Sequence, residues 1–381
     1  MKRTYLDHAA TTPVAPSVLD EMIPFFSDHG YNPSGVYMEA RQAGEALEKA
    51  RELVAETLVS DPEDIVFTGS GSEGVNLALK GAAMAAAQRG RDVVIISAVE
   101  HQAVMRSAEY LDRHLGLEVR IIDVDRCGTV DLNQLNDCMD ERVGVVSIQY
   151  ANNEVGTIQP IKEAAEIVHG TDAIFHTDAV QAPGSLQMDV DQLGVDLLSI
   201  AAHKFYGPKG VGALYVRRGT RVVPQIQGGS QERNRRAGTE NVALVVGLAA
   251  ALNLVRNEMR IEEQRSMELK LLLQEGLAKI PGVVFNGSTN CCLANNTHIC
   301  VEGVRAEGML LKLDKEGISV SSGSACTSAS LEPSHVLLAM GISPDLARGS
   351  LRITTGRGNT TGQIENFIDV LGAIIDELRV G

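Results

Sequence analysis

Polar residues capable of chemistry stand where apolar runs end. Lys204 follows the run Leu197 to Ala202, Asp178 closes Ala173 to Thr177, His101 follows Val93 to Ser97, and Asn152 and Asn153 follow Val143 to Ile148. An ammonium at a buried strand end loses hydration, so its pKa falls and the amine becomes a nucleophile suited to Schiff-base formation. A lone lysine beyond a strand more often snorkels to water, so Lys204 carries weight only through its company. A buried carboxylate at Asp178 calls for a cationic partner, which a protonated ring nitrogen of a bound group would supply; the plain alternative is a cap on the following segment. Open parallel sheets bind ligands outside the carboxyl ends of their strands, so these residues are expected to face one crevice.

Gly69-Ser70-Gly71-Ser72-Glu73-Gly74 matches G-x-G-x-x-G, follows the strand Ile65 to Thr68 and opens a helix. Such a turn serves dinucleotides, but its free N–H groups and helix dipole hold any phosphate. A dinucleotide site needs an acidic residue after the next strand, where Glu100 is followed at once by His101. A single phosphate on Gly71 and Ser72 is the more economical ligand. Cys326 lies in a small, polar stretch, Ser321 to Ser330, that leaves a thiol exposed and reactive. Cys300, between Ile299 and Val301, reads instead as buried structure, and Cys291-Cys292 as an incidental pair in a loop. Arg352, isolated in Leu351-Arg352-Ile353-Thr354, wants a planar anion, either a ligand carboxylate or a local acid. Arg233, Arg235 and Arg236 form the only dense basic cluster and mark a local anion or subunit contact.

The elements that must position these groups read as α/β. With 381 residues, 44% hydrophobic and 22% charged, the chain is long enough for a sizeable core with a smaller partner domain. A net charge of −15 argues against nucleic acid or an anionic membrane as the main partner. The N-terminus has no apolar segment of the secretory kind, and Val242 to Leu252 is too short to span a bilayer, so a cytoplasmic chain is expected. Six cysteines without a C-x-x-C pair write neither a disulfide framework nor a standard zinc site, and no metal is expected. Continuous apolar runs alternating with helical patterns predict a large domain with a mostly parallel sheet covered by helices on both faces. Val211 to Val216 and Val222 to Ile226 read as an added hairpin edge. From Glu240 a helical stretch reaches Lys279, and the rest reads as a smaller α+β domain. The expected division is 16–255 for the large, cofactor-binding domain and 1–15 with 256–381 for the small one.

Several distinctive segments stand in order along nearly the whole chain: Tyr5-Leu6-Asp7-His8-Ala9-Ala10-Thr11-Thr12-Pro13, Glu100-His101, Asn152-Asn153-Glu154-Val155-Gly156, Thr177-Asp178-Ala179-Val180-Gln181, His203-Lys204 with Tyr206-Gly207-Pro208-Lys209-Gly210, Arg236-Ala237-Gly238-Thr239, and Ser322-Gly323-Ser324-Ala325-Cys326. In these the chain resembles the cysteine desulfurases of the NifS/IscS kind, in the fold-type I, pyridoxal-phosphate-dependent class V aminotransferase superfamily. The resemblance implies pyridoxal 5′-phosphate bound to Lys204, with His101 stacked on its ring as an acid/base, Asp178 at the ring nitrogen and Gln181 at the phenolic oxygen. Gly71, Ser72 and His203 would hold the phosphate, joined by Thr239 from the other subunit of a homodimer. Asn152 and Arg352 would hold the carboxylate of L-cysteine. Cys326 would take the sulfur as a persulfide, release L-alanine and pass sulfur to an acceptor protein such as an iron–sulfur scaffold. The chain departs from the family in having Ala201 where a serine is usual, and Gly69-Ser70-Gly71-Ser72-Glu73 where Ser-Gly-Ala-Thr-Glu is usual. It also ends at Arg379-Val380-Gly381 without the extension on which the bacterial housekeeping enzymes dock their scaffold, which leaves the acceptor open.

Overall fold

The computed structural model describes residues 3–322 and 333–380. The chain opens with β1 (Thr4–Tyr5), α1 (Pro16–Met22) and α2 (Met38–Leu58), then β2 (Ile65–Thr68), α3 (Gly71–Ala87), β3 (Val93–Ser97), α4 (Gln102–Leu115) and β4 (Glu118–Ile122). It continues through α5 (Leu132–Cys138), β5 (Val143–Ser147), α6 (Ile161–Val168), β6 (Ile174–Asp178), α7 (Val190–Leu193), β7 (Leu197–Ala201) and β8 (Gly212–Val216). The long α8 (Val242–Leu277) leads to β9 (Val283–Asn286), β10 (Asn296–Val301), α9 (Ala306–Lys315), β11 (Ile318–Ser319), α10 (His335–Ala339), α11 (Pro344–Ala347), β12 (Ser350–Thr354) and α12 (Thr361–Val380).

The central sheet has seven strands in the order β2-β8-β7-β6-β5-β3-β4. β3, β5 and β7 are buried at every residue, as strands covered on both faces must be, and their Val, Ile and Leu content suits that position. All pairings are parallel except those of β8, which runs antiparallel to both β2 and β7. The expected hairpin edge is therefore corrected: β8 lies inside the sheet, and residues 222–226 form no strand. Pro224 cannot donate to a ladder, and the Val223 N–H donates instead to Gly81 O at 3.0 Å, laying the segment against α3. Registering His176 on Leu197 and Asp178 on Ser199 brings the ends of β6 and β7 side by side.

A second core forms around Leu6, Leu273, Ile299, Leu313, Ile353 and Phe367, beneath the antiparallel sheet β12-β10-β9 and the pair β1-β11. α8 serves both cores: Val245, Leu248 and Leu252 lie in the large one, Leu269, Leu273 and Leu277 in the second. The division expected at 255/256 thus falls within one unbroken helix of 36 residues, about 54 Å long. α8 is long and apolar enough to cross a membrane, yet 56% of its most apolar window is buried inside the fold. It is core, not an exposed span.

Candidate active site

The glycine turn is built by α3 itself. Ser70 caps the helix, its Oγ accepting the Glu73 N–H at 3.1 Å, while Glu73 Oε2 accepts the Gly69 N–H at 2.8 Å. The first N–H groups of a helix have no acceptor in their own ladder, so Gly71 and Ser72 present donors at the positive end of the dipole. The space before them is tight: a Cβ on Gly71 would stand 3.0 Å from both Ala201 Cβ and Val180 Cγ2.

This turn forms one wall of a cavity of about 330 Å³. Gly71 and Ser72 line it together with His101, Asp178, Gln181, His203, Lys204 and Arg352. Most of the residues expected to act together do converge. Lys204 leaves β7 through a single 3-10 turn, and its Nζ donates to the backbone oxygens of Ala9 at 2.6 Å and Ala10 at 2.9 Å. Gln181 Nε2 donates to the same Ala9 oxygen at 2.9 Å, so the N-terminal segment forms a floor beneath both side chains.

Asp178 ends β6, accepts the Val180 N–H at 3.0 Å and is 7% exposed. Burial pushes its carboxyl pKa up, and the positive fields of His101 and Lys204 pull the other way. A cation delivered by a ligand would complete this balance. His101 caps α4, its Nδ1 accepting the Ala103 N–H at 3.1 Å; that bond leaves Nε2 as the nitrogen that carries a proton on the neutral ring. His203 is driven down to about 4, first by burial and then by the neighbouring Lys204 and Lys209, so it is a neutral hydrogen-bonding group, with Nδ1 3.1 Å from Thr11 Oγ1.

Asn152 is the exception. Its Nδ2 donates to Val99 O at 3.1 Å, its Oδ1 accepts from Glu154 N and Val155 N at 2.8 and 2.9 Å, and the residue is wholly buried. An Asx turn consumes the side chain, and the next residue, Asn153, lines the cavity instead. Arg352 takes the local acid of its two expected partners and also lines the cavity. One Nη pairs with Asp7 at 2.8 Å, the other donates to Asn153 O at 2.7 Å, and the buried Nε has no partner among the described residues. Thr239 is exposed and does not line the cavity. Cys326 lies outside the described residues, whereas Cys300 is buried and Cys291 exposed. Among the described residues no group of histidines, cysteines and acids is gathered as metal ligands would be.

In the sequence Glu100 stands as the acid of a rejected dinucleotide site and within the segment Glu100-His101, with no role of its own. The structure places it, fully buried, immediately behind the site. Its Oε1 accepts from Ser97 Oγ at 2.7 Å and Gln149 N at 2.8 Å, and Oε2 has no partner among the described residues. Burial, reinforced by Asp178, pushes its pKa up to about 8 against those two hydrogen bonds. An acidic residue three positions beyond the buried strand Val93–Ser97 was the available signal.

The family model described as Aminotransferase class-V matches residues 4–367. The chain is 46% identical to the cysteine desulfurase IscS of Dictyoglomus turgidum over 381 residues, spanning 100% of this chain and 96% of that protein. It is 42% identical to the cysteine desulfurase IscS of Methanosarcina thermophila, covering 99% and 93%. Among solved structures, a NifS-like protein superposes with a TM-score of 0.93 at 36% identity, covering 99% of this chain and 100% of that one. SspA in complex with cysteine gives a TM-score of 0.81 at 35% identity, covering 92% and 98%. The chain belongs to the class-V aminotransferase family, in the branch of the IscS and NifS-like cysteine desulfurases.

Proposed function

We propose that the protein is a cysteine desulfurase that uses pyridoxal 5′-phosphate, converts L-cysteine to L-alanine and takes the sulfur onto Cys326 as a persulfide. The observation that carries this reading is the meeting, in one cavity, of a phosphate-receiving helix N-terminus, a buried carboxylate, an imidazole and a lysine amine. These groups fit the cofactor's phosphate, ring nitrogen and carbonyl. Gly71, Ser72 and His203 would hold the phosphate, Asp178 the ring nitrogen, His101 the ring face, Gln181 the phenolic oxygen and Lys204 the carbonyl carbon. When bound, the cofactor supplies an electrophilic carbon for amines and an electron sink for the substrate's α carbon.

The chain's own groups perform the rest. Lys204 Nζ takes up the α proton, and the Ala9 and Ala10 oxygens orient it. Asp178, as a carboxylate, keeps the ring nitrogen protonated. Arg352 Nε, with Asn153 in the place first given to Asn152, receives the substrate carboxylate. The thiolate of Cys326 attacks the substrate sulfur, and an S–S bond forms as the Cβ–S bond breaks; the electron pair stays with Cβ, which takes up a proton to become the alanine methyl, and the sulfur remains on Cys326 as a persulfide.

A homodimer is part of the proposal. Leu19, Ile23, Phe26, Val36, Tyr37 and Met38 are 45% to 88% exposed in the segment leading into α2, an apolar surface that a second copy would cover. Thr239, exposed and outside its own cavity, would reach the partner's phosphate. The sulfur acceptor is then a scaffold for iron–sulfur or other thio-cofactor assembly, and the setting is the cytoplasm. The two cores support a split between a cofactor-binding part, 16–255, and a part, 1–15 with 256–381, that presents the cysteine. The deciding experiment incubates cofactor-loaded protein with L-cysteine, quantifies alanine and maps the persulfide by mass spectrometry. Absence of alanine would sink the reading, and alanine formation surviving Cys326→Ala would reassign the chain to a lyase.

A further inference from the structure

The turn that receives a phosphate contains an acid. Glu73 stands in the first turn of α3, and its carboxylate shapes the turn by accepting the Gly69 N–H. The same charge repels a dianionic phosphate arriving at Gly71 and Ser72. Arg236, from the basic cluster that the reaction leaves unused, resolves the conflict: its Nε meets Glu73 Oε1 at 2.8 Å and its Nη2 meets Oε2 at 3.4 Å.

Arg236 is held there by an unusual stretch of backbone. Glu232, Arg233 and Asn234 have φ of 46°, 55° and 63°, successive non-glycine residues in the left-handed region. Such a run persists only where its surroundings dictate it. They do so through Glu232. Its carboxylate receives the Arg51 guanidinium at 2.8 and 3.0 Å, both side chains being at most 3% exposed, and it also accepts the Phe67 N–H of β2 at 2.8 Å. The loop is thus fastened to β2 just before the glycine turn and to α3 just after it.

We infer that residues 230–238 are a strap that fixes the shape and charge of the phosphate turn, with Arg236 and Glu232 as positioning residues for the cofactor's phosphate. This rests on reading the turn as the phosphate site. Arg236 cancels Glu73, and Glu232 holds the strap in the conformation that delivers Arg236.

The test is equilibrium titration of full-length, cofactor-stripped protein with pyridoxal 5′-phosphate and, in parallel, with pyridoxal, which has no phosphate. Arg236→Met should weaken pyridoxal 5′-phosphate about tenfold and leave pyridoxal unchanged. Glu73→Gln keeps the acceptor for Gly69 but removes the charge, so the pair Glu73→Gln with Arg236→Met should recover to within about threefold of wild type. Glu232→Gln, checked for folding by thermal unfolding, should weaken the phosphorylated ligand selectively. Unchanged affinity in Arg236→Met, equal loss for both ligands, or a double variant no better than the single one overturns the inference. Failure of the wild-type protein to prefer the phosphorylated ligand would instead refute the phosphate site itself.

Discussion

Glu100→Gln exchanges a carboxyl for an amide of the same shape at a position with no exposure to solvent. Glu100 keeps its proton in the folded protein up to about pH 8, whereas in the unfolded chain the carboxyl releases it near 4.5. Between those values the folded state binds more protons, so stability falls as pH rises through the window and levels off above about 8. The whole displacement corresponds to about 5 kcal/mol. Relaxation and water entry on ionisation leave about 2–3 kcal/mol to be measured. His176 and His298, pushed down to about 3 by burial, act in the opposite sense, gaining stability as pH rises through 6.5. The informative quantity is therefore the difference between wild type and variant. Urea unfolding at intervals from pH 5 to 9 should show the wild type losing about 2–3 kcal/mol relative to Glu100→Gln, with the two close together at pH 5. Parallel curves would refute the argument that a neutral carboxyl is buried behind the site.

The adjacent asparagines should separate cleanly. Asn152→Ala breaks buried hydrogen bonds and should cost about 2–3 kcal/mol in urea unfolding, whereas Asn153→Ala should leave stability within about 0.5 kcal/mol and raise KM for cysteine severalfold. Lys204→Ala should lower alanine formation by at least about a thousandfold while thermal unfolding stays near that of wild type; a smaller loss would remove the lysine from the proton transfer. Ala201→Ser adds a hydroxyl to a residue that lines the cavity, and should tighten pyridoxal 5′-phosphate about threefold to tenfold in titrations of stripped protein. Unchanged or weaker binding would show that the hydroxyl has no partner there.

The strand ends that carry Asp178 and Lys204 could be read from the sequence because parallel strands covered on both faces must be continuous apolar runs, and polar residues that interrupt the pattern stand out. β8 looked the same in composition, but its direction and its place between β2 and β7 depend on a partner strand about 150 residues away, which no local pattern encodes. Asn152 and Asn153 are chemically identical neighbours. Only the Asx turn, a matter of backbone geometry, decides which faces inward. The Arg352–Asp7 pair joins opposite ends of the chain, so spacing could suggest an anion but not name it. Glu100 was visible as a residue but not as a neutral one, because its pKa comes from burial by segments distant in sequence.

The floor beneath Lys204 has a consequence for the order of events in the cell. Ala9 and Ala10 leave the ribosome early and are fixed from two sides: Thr12 N–H donates to His203 O and Gln181 to Ala9 O within the large part, while Asp7 bridges to Thr354 and Ala9 N–H donates to Thr354 Oγ1 at the far end of the chain. During synthesis the large sheet can form with its lysine in place and the N-terminal segment already held to it through His203, Tyr206 and Gln181. The second half of the clamp arrives only when β12 is made and residues 7–9 meet Thr354, a closure between residues separated by nearly the whole sequence. A nascent chain without β12 would therefore hold the Ala9 and Ala10 carbonyls at Lys204 from one side only. The finished fold, by contrast, clamps that floor between its two cores.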